Sequence, residues 1–219
     1  MPKSAFAHAL DEIQRELKPF LTQRGFKVRG RTFNRLSEDG CTSVVNLQMG
    51  AADPPGTTYI PGLRENLHGL FAVNLGVYIP EVARYQGGGE AGSWIQEYNC
   101  CVRVRLGALV GEGKEVWWRA VPSQQVIAAV RNALQSEGLP FLERYDTRDK
   151  ILSEWSGQSR SVAGGSPPRI VLAVILAGRG QVEHARQLLS LQARETRNPG
   201  HPAHVRELAH KLGLRELKG

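Results

Sequence analysis

The sequence has no apolar run long enough to cross a bilayer. Its longest, Ile170 to Ala177, falls far short of the ~20 residues that a spanning helix needs. Cysteine is scarce, with three residues in 219, which excludes a disulfide scaffold. Cys100 and Cys101 are neighbours in a strand-like run, so their side chains point to opposite faces and are poorly placed to bond each other. Met1 to Leu10 carries Lys3 and His8 and no apolar core of the kind a secretory leader requires. Free thiols and a reducing, cytoplasmic location are therefore expected.

Signatures of chemistry are equally sparse. Gly87-Gly88-Gly89 lacks the Gly-Lys-Ser/Thr ending of a phosphate loop and reads as a turn. His201, His204 and His210, with His184 upstream, match no closed zinc spacing, and the cysteines lie far away in sequence. A cysteine nucleophile paired with His8 or His68 has no motif behind it. Glu112-Gly113-Lys114 has the spacing of a nuclease centre but reads as a hairpin turn. No metal, cofactor or catalytic residue is assigned, and an enzyme of unknown type stays a third reading.

What is present is an ordinary globular composition, 41% hydrophobic and 22% charged. The length suits one generous domain or a domain with an appendage. The net charge of +7 is uneven, about +2 before residue 150 and +5 after it. A basic balance permits nucleic-acid or acidic partners without requiring them.

The informative stretches are strand-like. From Phe71 to Ile79, Phe71, Val73, Leu75, Val77 and Ile79 alternate with Ala72, Asn74, Gly76 and Tyr78. From Cys41 to Met49, Val45, Leu47 and Met49 alternate with Val44, Asn46 and Gln48. From Cys100 to Leu106, Val102, Val104 and Leu106 alternate with Cys101, Arg103 and Arg105. One antiparallel sheet with an oily and a polar face is expected. Gly25 to Leu36 reads as a further strand, with a bulge at Gly30 to exchange its faces. Asp39-Gly40 marks a hairpin to the next strand, and Gly111-Glu112-Gly113 a second hairpin joining Cys100–Val110 to Lys114–Ala120. Trp117 and Trp118 alternate, so at least one should be core. The loop from Gly50 to Gly69 is long enough to suggest function.

Helical periodicity marks Ser4 to Lys18, capped by Ser4 and kinked or ended by Pro19. It also marks Ser123 to about Ser136, with Gly138 beyond its end, and Asp146 to Trp155. Residues 156–168 read as a Ser/Gly/Pro linker. Arg169–Ala177, Gln181–Arg197 and Ala203–Leu212 are helical by pattern. The fold class expected is α+β: an antiparallel sheet of about five strands with helices on one face. Residues 1–155 form the α+β domain, and 169–219 a three-helix C-terminal appendage that must dock on that domain or on a partner.

Gly25-Phe26-Lys27, Gly30-Arg31-Thr32-Phe33, Val45-Asn46-Leu47-Gln48, Val73-Asn74-Leu75-Gly76-Val77-Tyr78, Arg103-Val104-Arg105-Leu106-Gly107 and Trp117-Trp118 follow in order. This ordered set resembles an uncharacterised bacterial family, domain of unknown function 4304, over roughly residues 5–145. The resemblance implies an α+β domain and a bacterial source, and no activity.

On the polar face, Asn46, Gln48, Asn74, Arg103 and Arg105 are the candidate binding residues, joined by Arg29 and Arg31. Amides and guanidinium groups suit a carboxylate, a phosphate or a polypeptide backbone, and the set holds no carboxylate to act as a base. The leading expectation is a non-enzymatic binding protein with a protein partner. The alternative is nucleic-acid binding through Arg24, Lys27, Arg29, Arg31, Arg35 and the basic tail. No membrane partner is expected.

Overall fold

The structure is a computed structural model that describes residues 4–51, 66–85, 92–111, 114–156, 164–196 and 198–214. Its strands are β1 (Lys27–Arg29), β2 (Thr32–Leu36), β3 (Thr42–Met49), β4 (Leu70–Tyr78), β5 (Val102–Arg105), β6 (Trp118–Arg119) and β7 (Gly164–Gly165). Its α-helices are α1 (Ala5–Thr22), α2 (Pro80–Tyr85), α3 (Leu106–Val110), α4 (Gln124–Ala133), α5 (Leu139–Arg144), α6 (Arg148–Trp155), α7 (Pro168–Gly178), α8 (Val182–Glu195) and α9 (His201–Lys211). The fold is α+β, as expected. The strands hydrogen-bond in the order β1-β2-β3-β4-β5-β7, and β6 pairs with β4 off that path. The central loop 52–65, the Gly87-Gly88-Gly89 run, Glu112-Gly113 and most of the expected linker lie outside the described residues.

Two local expectations are corrected. Gly25 to Leu36 is not one bulged strand. The chain reverses at Gly30 (φ 59°), and β1 and β2 pair antiparallel with Val28 opposite Phe33. A left-handed residue suits a tight hairpin turn, which explains the opposite parities of Val28 and Phe33 without any bulge. Cys100–Val110 likewise does not run on into a hairpin. The strand stops at Arg105 and the chain coils into α3. β6 then pairs with β4, Trp118 opposite Phe71, and their rings lie 6.0 Å apart. Trp118 is buried, while Trp117 is half-buried beneath the Arg105 guanidinium.

The chain divides into two compact units. The first holds 1–36, 43–76 and 104–143; the second holds 37–42, 77–103 and 144–219. In the first, Ser4 caps α1 by accepting a bond from the Ala7 N–H. The helix buries Leu10, Ile13, Leu17, Phe20 and Leu21. It continues through Pro19, whose carbonyl accepts from the Gln23 N–H at 3.1 Å and the Thr22 hydroxyl at 3.2 Å. Ser123 caps α4 as expected. Gly138, however, is not a stop: a π-helical turn from Leu134 to Gly138 leads straight into α5. A Cβ at Gly138 would lie 3.1 Å from Leu106 Cδ1, 3.2 Å from Leu134 Cδ2 and 3.4 Å from Leu75 Cδ1. Glycine there serves close packing rather than helix termination.

In the second unit, α7 is buried along Ile170–Leu176 on every side. A helix apolar all round belongs in a core, and α7 packs on α2, α6 and α8, with α9 against α8. The C-terminal helices therefore dock on earlier segments of the chain. Arg148, at the start of α6, ties this unit together. It donates to both Glu81 oxygens at 2.6 and 2.7 Å. It also faces the Asp39 carboxylate at 3.2 Å and bonds the Asp39 carbonyl. One cation thereby joins the β2–β3 turn, α2 and α6.

Leu75, fully buried in β4, reports on the core directly. Leu75→Ala is expected to lower stability by about 2–5 kcal/mol through lost transfer energy and a residual cavity. Urea unfolding checks this, and an unchanged midpoint would remove Leu75 from the core.

Candidate functional site

Three of the expected site residues converge. Every residue from Phe71 to Ile79 is buried, so both faces of β4 are covered along that run. Asn74 is 3% exposed, and an unpaired amide in that position would cost about 1–3 kcal/mol. Its Nδ2 donates to Gln48 Oε1 at 2.7 Å and to Asn46 Oδ1 at 3.4 Å. Asn46 Nδ2 donates in turn to Thr32 Oγ1 at 2.9 Å. The four side chains form a ladder of hydrogen bonds from β2 through β3 to β4. Period-two alternation places Asn46 and Gln48 on the same side of β3. Ala72 and Gly76, two residues either side of Asn74, take little room beside it. The ladder grades from the interior outward: Thr32 and Asn74 are buried, Asn46 is half-buried and Gln48 is exposed. Gln48, the exposed end, accepts through Oε1.

Three of the four arginines of the expected set are engaged. Arg103 Nε and Nη2 bond the two oxygens of Glu97 at 2.6 and 3.0 Å. Those bonds raise the arginine above its ordinary pKa against the opposing effect of burial. Arg105 Nη1 bonds both oxygens of Glu115 at 2.8 and 2.9 Å and lies over Trp117. Arg31 bonds Asp11 Oδ1 and the Ala7 carbonyl, both at 2.7 Å, and so anchors the β1–β2 turn to α1. Arg29 is exposed on β1. Thr32, Glu97, Glu115 and Asp11 escape a sequence reading. Thr32 alone carries a signal, a polar β-branched residue in a strand bordered by Phe33, whereas the acids lie outside the strands they serve.

The basic run is also drawn inward. Arg24 donates to the Phe20 carbonyl at 2.9 Å and covers the Phe20 ring, and Arg35 covers the Phe26 ring. Lys27 and Arg29 remain exposed. Among the described residues, no group of three or more His, Cys, Asp or Glu side chains is arranged to hold a metal ion. No described helix is long and apolar enough to cross a membrane.

The thiols are buried and free. Burial pushes Cys41 up to about 12 despite the opposing Arg148, and burial pushes Cys101 up to about 12 despite backbone hydrogen bonds. Burial likewise raises Cys100 well above its ordinary value. A thiol is a nucleophile only as the thiolate, and burial disfavours that form at all three cysteines.

Residues 65–144 match a family model described as Domain of unknown function (DUF4304). The matched segment takes in Val73–Tyr78, Arg103–Gly107 and Trp117-Trp118, and the pieces at Gly25–Phe33 and Val45–Gln48 precede it. No curated protein and no solved structure matches the chain.

Two outcomes test this geometry. Asn74→Ala is expected to cost about 1–3 kcal/mol, since it strips partners from a buried network, and Gln48→Ala about 1 kcal/mol, since it removes the 2.7 Å acceptor of a buried amide. No cost for Gln48→Ala in urea unfolding would mean that the buried Asn74 amide does not depend on it. A thiol reagent at pH 8 should label none of the three cysteines in the native protein and all three after unfolding; labelling before unfolding would contradict the burial.

Proposed function

We propose that this chain is a cytoplasmic, non-enzymatic bacterial binding protein that recognises a protein partner with the outer end of its amide ladder. The observation that carries this reading is the Asn74–Gln48 hydrogen bond. A buried asparagine fixes one side of an exposed glutamine, and the ladder does not engage that glutamine's Nε2 donors. A side chain held in this way loses less conformational entropy on binding than a free one. Its neutral amide suits a polypeptide backbone, which offers carbonyl acceptors at strand spacing. The ladder holds no titratable group, and proton transfer requires one. The exposed part of the ladder is small, so the partner's remaining contacts must come from surrounding surface.

A pull-down from the source lysate, comparing the wild-type chain with Gln48→Glu, tests the proposal. A protein recovered by the wild type and lost by the variant, at unchanged melting temperature, is the expected result. A partner retained by the variant, or turnover of a small molecule without any partner, would overturn it.

The nucleic-acid reading is less well supported, because Arg24, Arg31 and Arg35 make the internal contacts described above. Phosphate-driven binding needs several free cations and weakens steeply with salt. A gel shift with random duplex and single strands at low salt is expected to show no complex at micromolar protein. A salt-sensitive shift abolished by Lys27→Ala with Arg29→Ala would favour the nucleic-acid reading instead.

A further inference from the structure

Strand pairing places two exposed cations on the same side of the sheet as the amide ladder. Residues directly opposite one another in an antiparallel pair share a face. Arg29 is opposite Thr32, and Lys27 is opposite Asn34. Thr32 is the β2 member of the ladder, so Arg29 stands next to it and Lys27 one step along. Leu36, two residues beyond Asn34 on β2, has the same parity. It is 73% exposed, the most exposed large hydrophobic side chain among the described residues. At the other end, the Leu47 N–H donates to the Arg31 carbonyl at 3.0 Å, which sets Gln48 beside the Gly30 turn.

From one end to the other, this face therefore carries Gln48, Arg29, Lys27 and Leu36, each exposed. Successive same-face positions on a strand are about 7 Å apart. Neither the Lys27 nor the Arg29 side chain has a hydrogen bond or ion pair among the described residues. Arg24, Arg31 and Arg35, by contrast, are held by internal contacts. β1 is the first strand of the sheet order, and charge on an edge strand can serve only to keep other strands away. An exposed leucine left in line with that charge works against such a purpose.

We propose that this face takes an extended acidic segment of a protein partner, with carboxylates at alternate positions on Arg29 and Lys27 and an apolar side chain on Leu36. The inference deepens the protein-partner reading above and rests on it. Two cations at strand spacing match carboxylates two residues apart in an extended chain, whose side chains repeat at the same interval. Complementary charge of this kind selects the partner and speeds the encounter. Nucleic acid fits less well. Two cations are few for phosphate-driven binding, and leucine offers no ring on which a base can stack.

Fluorescence anisotropy with the full chain tests the proposal. The probe is the labelled, terminally blocked peptide Thr-Leu-Thr-Glu-Thr-Glu-Thr-Leu-Thr, which reads the same in both directions. A control peptide carries Gln in place of each Glu, and oligothymidylate is the third probe. The Glu peptide should bind saturably, about tenfold or more tightly than the Gln peptide. Lys27→Gln with Arg29→Gln should bring it down to the level of the Gln peptide, and Leu36→Ser should weaken both. Absence of saturable binding of the Glu peptide, or equal affinity for the two peptides, would overturn the proposal. Tighter binding of oligothymidylate than of the Glu peptide would overturn it in favour of nucleic acid. A double variant that self-associates yet binds the Glu peptide as the wild type does would overturn it and leave the two cations as guards of the edge. The lysate pull-down separates this inference from the reading beneath it. A partner that depends on Gln48 but survives Lys27→Gln with Arg29→Gln overturns the acidic segment alone, whereas the lack of any Gln48-dependent partner overturns the reading itself.

Discussion

An amide placed on a strand that is covered on both faces has to find its hydrogen bonds inside the protein. That constraint shapes the first unit. Asn74 sits in a run where Phe71 to Ile79 are all buried, and water is not there to satisfy it. Gln48 and Asn46 are the side chains that can reach it, and Thr32 passes the network on to β2. A one-residue slip of β3 against β4 would turn both amides away and leave Asn74 unpaired. The ladder thus fixes strand register in addition to presenting Gln48.

Charge is handled by the same logic elsewhere. Arg31, Arg103, Arg105 and Arg148 each meet a carboxylate at 2.6 to 2.8 Å, and each joins segments that are not adjacent in sequence. Arg105 and Glu115 are both partly exposed, and such a pair contributes little to stability, whereas Arg103 holds both oxygens of a buried Glu97. Arg148 is more enclosed and has two acidic partners, so it matters more for how the second unit closes. These pairs each cancel one charge of either sign and so leave the net charge of +7 unchanged.

The strands were legible because the alternation of Phe71 to Ile79 and of Val44 to Met49 depends only on the two-residue period. The helix caps at Ser4 and Ser123 were legible for the same reason, since capping is a local hydrogen bond. The failures were tertiary. Nothing in Ala72, Asn74, Gly76 and Tyr78 says that their face is covered, because asparagine tolerates both solvent and a satisfied interior. Gly30 permits a bulge or a reversal equally well, and pairing with β2 decides between them. Gly138 looks like a helix end, yet its role comes from Leu75 and Leu106, far away in sequence. In the candidate site, the amides were legible and their acidic neighbours were not, since Asp11, Glu97 and Glu115 reach their arginines only through the folded chain.

The central claim is that Asn74 and Gln48 act as one connected unit rather than as two independent polar residues. A double-mutant cycle of Asn74→Ala and Gln48→Ala, followed by urea unfolding, measures that connection directly. The account predicts that the two changes are non-additive, with a coupling of about 1 kcal/mol. Strict additivity would contradict it and would reduce the polar face to separate side chains that happen to lie side by side.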